Sequence, residues 1–332
     1  MDKPAKVASD KRTLVAEALL AGESLEQMRE RLIASGVSAA AADYELRRAE
    51  KDPLFQAAAT LNRRLAKRDW ALRIFGRLST VRADGLAIPT VDKIDPARFF
   101  EDFYAANRPV VLTGLVDHWP ALAKWSLDYL ADKVGDAVVE LQGQRDEAED
   151  YEIAKDRHKR MLPMRAVIDA IREVGASNDF YVTAYNDTTN KQTLAPLWED
   201  IGDLPILKST GDRDGFFWFG PKGTLTPFHH DLTNNLLVQV MGRKRVHMVP
   251  SWEVGRMRNN IHCFSDRSPA DWSGGDDLPP LLECVIGPGD ALFLPIGWWH
   301  HVEALDVSIT MSFTNFAADN DFYLDYPADS RF

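Results

Sequence analysis

Thr226-Pro227-Phe228-His229-His230-Asp231 leads into Asn235-Leu236-Leu237-Val238-Gln239-Val240-Met241, and Gly242 then precedes Lys244-Arg245-Val246-His247-Met248-Val249. Each piece is a short apolar or alternating run, and the glycine between two of them is turn punctuation, so they read as successive strands. Similar runs over 291–295 and 307–316, separated by Gly/Pro turns, continue the pattern through the segment 216–316. Short strands at this spacing indicate an all-β barrel or sandwich.

Extended backbone places His229 and Asp231 on one face and His230 on the other. A second imidazole from a distant strand would complete a set of two histidines and one carboxylate, which leaves coordination positions open and is the usual arrangement of non-haem Fe(II) oxygenases. Trp298-Trp299-His300-His301 offers it, 71 or 72 residues after His229. Parity alone does not choose between His300 and His301. A lone His-x-Asp is more often a satisfied pair in a β core than a metal site. Lys244 adds weight, because an ammonium on the next strand of an apolar barrel is costly unless an anion meets it. A bound dicarboxylate would be such an anion. An exposed edge lysine is the plainer alternative, but Arg243 and Arg245 flank Lys244 and are the better candidates for the solvent side. The aromatic residues of 216–219 and Trp298-Trp299 read first as core.

Outside this region the chain changes character. Apolar residues recur at helical spacing from 10 to about 79. Gly22 and Gly36 can end two helices, Ser24 with Gln27 forms a capping-box pattern, Ser38 can cap a third helix, and Asp52-Pro53 opens a fourth. A connector with Pro89 follows, then a helical stretch over 96–107 and a buried strand starting at Pro109. The expected organisation is a helical module over 1–80 and a mainly β domain with helices over 88–332.

The 332 residues, 45% hydrophobic and 27% charged, suit two globular domains and exclude extended disorder. No apolar run is long enough for a membrane span and the N-terminus lacks a signal-peptide pattern, so a cytoplasmic location without a membrane partner is expected. Cys263 and Cys284 are expected to be reduced. The net charge of -11 makes nucleic acid an improbable partner for the surface as a whole. The charge is uneven, with 15 basic against 11 acidic residues in 1–80 and 24 against 39 beyond. Arg63, Arg64, Lys67, Arg68, Arg73 and Arg77, interleaved with Trp70 and Phe75, could meet an acidic partner or a membrane surface, although a solvated helix face is the commoner meaning of such spacing.

The run Trp218-Phe219-Gly220-Pro221-Lys222-Gly223-Thr224-Leu225 into Thr226 and on to Arg245, with Gly287-Pro288-Gly289-Asp290, Trp298-Trp299-His300-His301-Val302 and Arg108-Pro109-Val110-Val111-Leu112-Thr113-Gly114, resembles the cupin-like branch of the Jumonji C oxygenases. Its motifs are similar to those of the asparaginyl hydroxylase acting on hypoxia-inducible factor. The resemblance covers about 88–316 and implies a double-stranded β-helix, or jelly roll, using Fe(II) with 2-oxoglutarate and dioxygen as cosubstrates. It implies His229, Asp231 and His300 as iron ligands, so that the family resolves the choice against His301. It further implies Lys244, Thr226 and Tyr181 as anchors of the distal carboxylate of 2-oxoglutarate, and Asn235 and Asn315 as polar groups near its iron-binding end. The expected activity is hydroxylation of a protein, peptide or small-molecule substrate, and demethylation begins with the same step. A cupin holding another metal such as Zn(II) in a hydrolase or isomerase, and a noncatalytic interaction protein, are the competing classes. The chain lacks the long C-terminal helices of that hydroxylase and carries a helical module without a counterpart there, so a homodimer, if formed, is expected to use the N-terminal helices.

Overall fold

The computed structural model describes residues 4–82, 84–148, 150–183, 187–211, 213–273 and 278–327; the outer ends of the two expected domains, 1–3 and 328–332, lie outside the described residues. The chain divides into two compact units, Met1–Phe75 and Gly76–Phe332.

The first unit holds α1 (Pro4–Leu20), α2 (Leu25–Ala34), α3 (Ala39–Glu50) and all but the last turn of α4 (Pro53–Ser79). The capping chemistry read from the sequence forms: Ser24 and Gln27 exchange side-chain to backbone bonds, Ser38 accepts from the Ala41 N–H, and Asp52 accepts from the Leu54 N–H. Val15, Ala18, Met28, Leu32, Ala42 and Leu46 bury one another between α1, α2 and α3. Helix α4, although the longest, buries no residue.

The second unit holds the strands β1 (Thr90–Asp92), β2 (Val110–Thr113), β3 (Val138–Gln142), β4 (Lys159–Pro163), β5 (Phe216–Gly220), β6 (Leu225–His230), β7 (Asn235–Met241), β8 (Lys244–Val249), β9 (Leu282–Ile286), β10 (Ala291–Leu294), β11 (Trp299–Ala304) and β12 (Ser308–Phe313). Six of them form one sheet, in the order β1-β2-β10-β7-β12-β5, and four form a second, β6-β11-β8-β9. Apart from the parallel β1/β2 edge, every pairing in the two sheets is antiparallel. This is the expected jelly roll of the cupin type, with helices added. The helix expected over 96–107 is present as α5 (Pro96–Phe99) and a π-helical continuation over Phe100–Tyr104, and it stops short because Asn107 takes the left-handed conformation at φ 49°.

Alternation along β7 separates two cores. Leu236, Val238 and Val240 join the cluster of Phe99, Val110, Phe293 and Met311 on the outer side of the larger sheet. Leu237 joins Val111, Val246, Met248, Leu292, Trp298 and Val302 between the sheets. Asn235 and Gln239 share the parity of Leu237, so they face the same interior. The turn from β7 to β8 depends on Gly242, at φ +69°, where an added Cβ would sit 2.1 Å from the Val307 carbonyl oxygen.

Among the described residues no helix is long and apolar enough to cross a membrane. Cys263 and Cys284 are free thiols, and burial pushes each up to about 12, which leaves neither reactive at neutral pH.

Candidate metal and cosubstrate site

The interior is built from β8 and β11. In their antiparallel register Met248 opposes His300, Val246 opposes Val302 and Lys244 opposes Ala304. Directly paired residues share a face, and Val246, Met248 and Val302 lie in the core between the sheets. His300 and Lys244 therefore point into that core. The alternate residues face the other way: His301 pairs with His247, and Arg245 reaches Glu303 at 3.0 Å. Arg243, at the turn, is tied to Asp306 at 2.8 Å.

On its other edge β11 pairs with β6, where His300 lies opposite His229. The two rings sit 4.2 Å apart between centroids. Asp231, just past the end of β6, places Oδ1 at 3.7 Å from His229 Nε2 and Oδ2 at 3.9 Å from His300 Nε2. One ligand atom from each of the three lies within 4.8 Å of the others, and among the described residues this is the cluster that could hold a metal ion. His230, by contrast, packs edge-on against Trp299 at 4.7 Å and near Tyr326.

The backbone sets the tautomers. His229 Nδ1 lies 2.9 Å from the Pro227 carbonyl oxygen and His300 Nδ1 lies 3.0 Å from that of Trp298. A carbonyl only accepts, so each Nδ1 carries the proton and each Nε2 offers a lone pair toward Asp231. Burial, with His229 beside it, pushes His300 down to about 4, which keeps it a neutral donor. Burial alone would raise the Asp231 carboxyl, but His300, His229 and the amide of Asn235 hold it below the usual range. Asn235 Nδ2 donates to Asp231 Oδ2 at 2.9 Å and so orients the carboxylate, while its own buried Oδ1 has no partner.

At the other end of the interior column Lys244 is 4% exposed and donates to the Tyr181 hydroxyl at 2.9 Å. Burial pushes its ammonium down to about 7. Tyr181 is itself buried, and Thr226 lies opposite Val302, so both belong to this region. Asn315 makes its described contacts elsewhere: its side-chain amide donates to the Lys208 carbonyl, its backbone carbonyl accepts from the Lys208 N–H at 2.7 Å, and it lines a cavity of about 400 Å³ with Trp198, Leu204 and Asp214. The resemblance implies Asn315 near the iron-binding end of 2-oxoglutarate; the contacts described tie it to Lys208. The residue follows β12, where the chain turns to form the Leu207–Phe316 bridge.

Sequence reasoning missed a polar group around Tyr181. Gln142 pairs with Tyr181, and the Arg145 guanidinium, fully buried, lies 5.3 Å from the Tyr181 ring and 3.0 Å from Glu152. Only alternation could have signalled any of it, since Thr183, buried as well, stands two residues from Tyr181.

Residues 96–321 match the family model described as a cupin-like domain. The chain is 29% identical over 234 residues to lysine-specific demethylase JMJ30 of Arabidopsis thaliana, covering 65% of this chain and 51% of that protein. It is 27% identical over 240 residues to lysine-specific demethylase 8 of Xenopus tropicalis, covering 68% of this chain and 52% of that one. Over 275 residues it is 26% identical to the bifunctional peptidase and (3S)-lysyl hydroxylase JMJD7 of Homo sapiens, covering 69% and 84%. The match thus spans about half the length of the first two relatives.

Proposed function

Because the chain belongs to the cupin-like domain family, in its Jumonji C branch, we propose that it is an Fe(II)- and 2-oxoglutarate-dependent oxygenase that hydroxylates a side chain of a protein or peptide. One observation carries this reading: a metal-competent triad and a buried, unneutralised lysine face the same interior from the two ends of one strand pair. The residues present fit both groups. Two neutral imidazoles with free Nε2 atoms and one ionised carboxylate are the donor set of a non-haem iron centre with open positions. His300 and Ala304 are separated by a strand rise of about 13 Å, part of which the lysine stem opposite Ala304 spans. A dicarboxylate can bridge the remainder.

Bound iron with 2-oxoglutarate and dioxygen would supply the oxidative chemistry. His229, Asp231 and His300 would hold the iron, and Lys244 with Tyr181 and Thr226 would hold the far carboxylate. Asn235 fixes the Asp231 carboxylate in place. The apolar walls Val246, Val302 and Leu237 exclude water, which strengthens the charge pairing at Lys244. The names of the relatives point to lysine side chains in proteins as the class to examine first, with hydroxylation and demethylation as the two outcomes of one initial step.

The test is succinate release by the purified protein supplied with Fe(II), 2-oxoglutarate and dioxygen. Slow uncoupled release that stops on chelation, and quickens with a lysine-containing peptide or protein, is the expected outcome. A protein that binds Zn(II) at the triad and neither binds nor consumes 2-oxoglutarate would refute the proposal in favour of a hydrolytic cupin.

A further inference from the structure

Helix α4 presents a surface that the catalytic reading leaves unused. One line along its second half, at spacings of three and four residues, reads Arg63, Lys67, Trp70, Ile74, Leu78, with Phe75 beside it. A solvated basic face explains exposed arginines. It does not explain why Trp70 is 63% exposed, Phe75 57%, Leu78 58% and Ile74 37%. Burying such side chains is worth far more than leaving them wet, and together they form an apolar patch bordered by cations. Across 63–78 there are six basic residues and one acid, Asp69, which pairs with Arg68 at 3.1 Å.

From this we propose that α4 lies on the surface of an anionic lipid bilayer, with Trp70, Ile74, Phe75 and Leu78 in the headgroup boundary and Arg63, Arg64, Lys67, Arg73 and Arg77 on the lipid phosphates. Charge selects this occupant. A second copy of α4 would bring its own six cations against these six, whereas an anionic surface neutralises them. A nucleic acid would satisfy the cations but leave Ile74 and Leu78 exposed. The combination of arginines with Trp, Phe and Leu along one helix is that of an interfacial helix. Residues 81–332 carry 24 basic against 39 acidic residues, so the rest of the chain offers an anionic surface no comparable attraction.

The full chain tests this by co-sedimentation with vesicles of phosphatidylcholine alone and of phosphatidylcholine with an equal share of phosphatidylglycerol. At least tenfold stronger partitioning onto the anionic vesicles is expected, falling steeply between 50 and about 300 mM salt. The double variant Trp70→Ser/Phe75→Ser and the separate variant Lys67→Glu/Arg73→Glu should each lower it at least fivefold while leaving 2-oxoglutarate binding unchanged. The second variant keeps the test open if the first does not fold. Equal partitioning on both vesicle types, retention of tRNA stronger than that of anionic vesicles, or a solution dimer that Trp70→Ser dissociates would each overturn the proposal.

Discussion

Lys244→Met keeps most of the side-chain volume and removes its charge, and 2-oxoglutarate binding is where the loss should appear. Among the described residues the ammonium's hydrogen-bond partner is the Tyr181 hydroxyl at 2.9 Å, and burial holds it down at about 7. A hydrogen bond to a charged group contributes about 1.5–3 kcal/mol, and each 1.4 kcal/mol is about tenfold in affinity. The variant should therefore bind 2-oxoglutarate roughly ten- to a hundredfold more weakly and keep its metal, since an ammonium is no ligand. The depressed value adds a signature that a structural lysine would lack. Above pH 7 the empty site is increasingly neutral, while the dicarboxylate requires the charged form, so wild-type affinity should fall about tenfold per pH unit above 7 and binding should take up a proton. Lys244→Met should lose that slope. Stability moves the opposite way: the unfolded chain binds more protons than the native one between about 7 and 10.5, so the empty protein gains stability as pH rises through that window. At pH 7 Lys244→Met should melt higher than wild type. Anaerobic isothermal titration with Mn(II) in place of iron, in buffers of different ionisation enthalpy, measures affinity and proton uptake together. Equal affinity in the two proteins, or the same pH slope in both, would refute the assignment of Lys244 as the anchor.

Three further outcomes follow from the geometry. His229→Ala and Asp231→Ala should abolish metal binding and turnover while His230→Ala retains metal, because His230 packs on Trp299 away from the cluster; equal metal loss in all three, by elemental analysis, would contradict the placement. Asn235→Ala frees the Asp231 carboxylate and should weaken metal affinity about 10–100-fold, the usual cost of losing an outer-shell partner, read by competition with a chelator. Glu152→Ala leaves the Arg145 guanidinium buried and unpaired and should cost about 3–5 kcal/mol; a melting temperature within 2 °C of wild type would show that the pair is not structural.

The helices and strands were legible where one local device sets them. Capping at Ser24, Ser38 and Asp52 fixed the helix starts. The strand limits 235–241 and 244–249 fall where Gly242 must turn. What local reasoning missed is set by contacts distant in sequence. Gln142 meets Tyr181 only through strand pairing, the Arg145 guanidinium reaches the Tyr181 ring from a separate segment, and Asn315 is carried to Lys208 by the Leu207–Phe316 bridge. No periodicity in the chain records such encounters. The choice of His300 over His301 belongs to the same class. It depends on β11 pairing Val302 with Val246 and Ala304 with Lys244, a register that turns the even-numbered residues inward.

Thr226 shows where alternation fails and why. It stands three residues before His229, so an unbroken strand would put the two on opposite faces. In the structure His300 opposes His229 but Val302 opposes Thr226, so two residues of β6, Pro227 and Phe228, face the single residue His301. This is a β-bulge, and the extra residue restores Thr226 to the interior while Phe228 packs outward with Trp299, Val249 and Met257. Proline suits the position because it has no N–H to lose from the interrupted ladder. The carbonyl of Pro227 is then the group that meets His229 Nδ1 at 2.9 Å. The same local irregularity thus brings a hydroxyl to the anchor end of the interior and sets the tautomer of the histidine at its metal end.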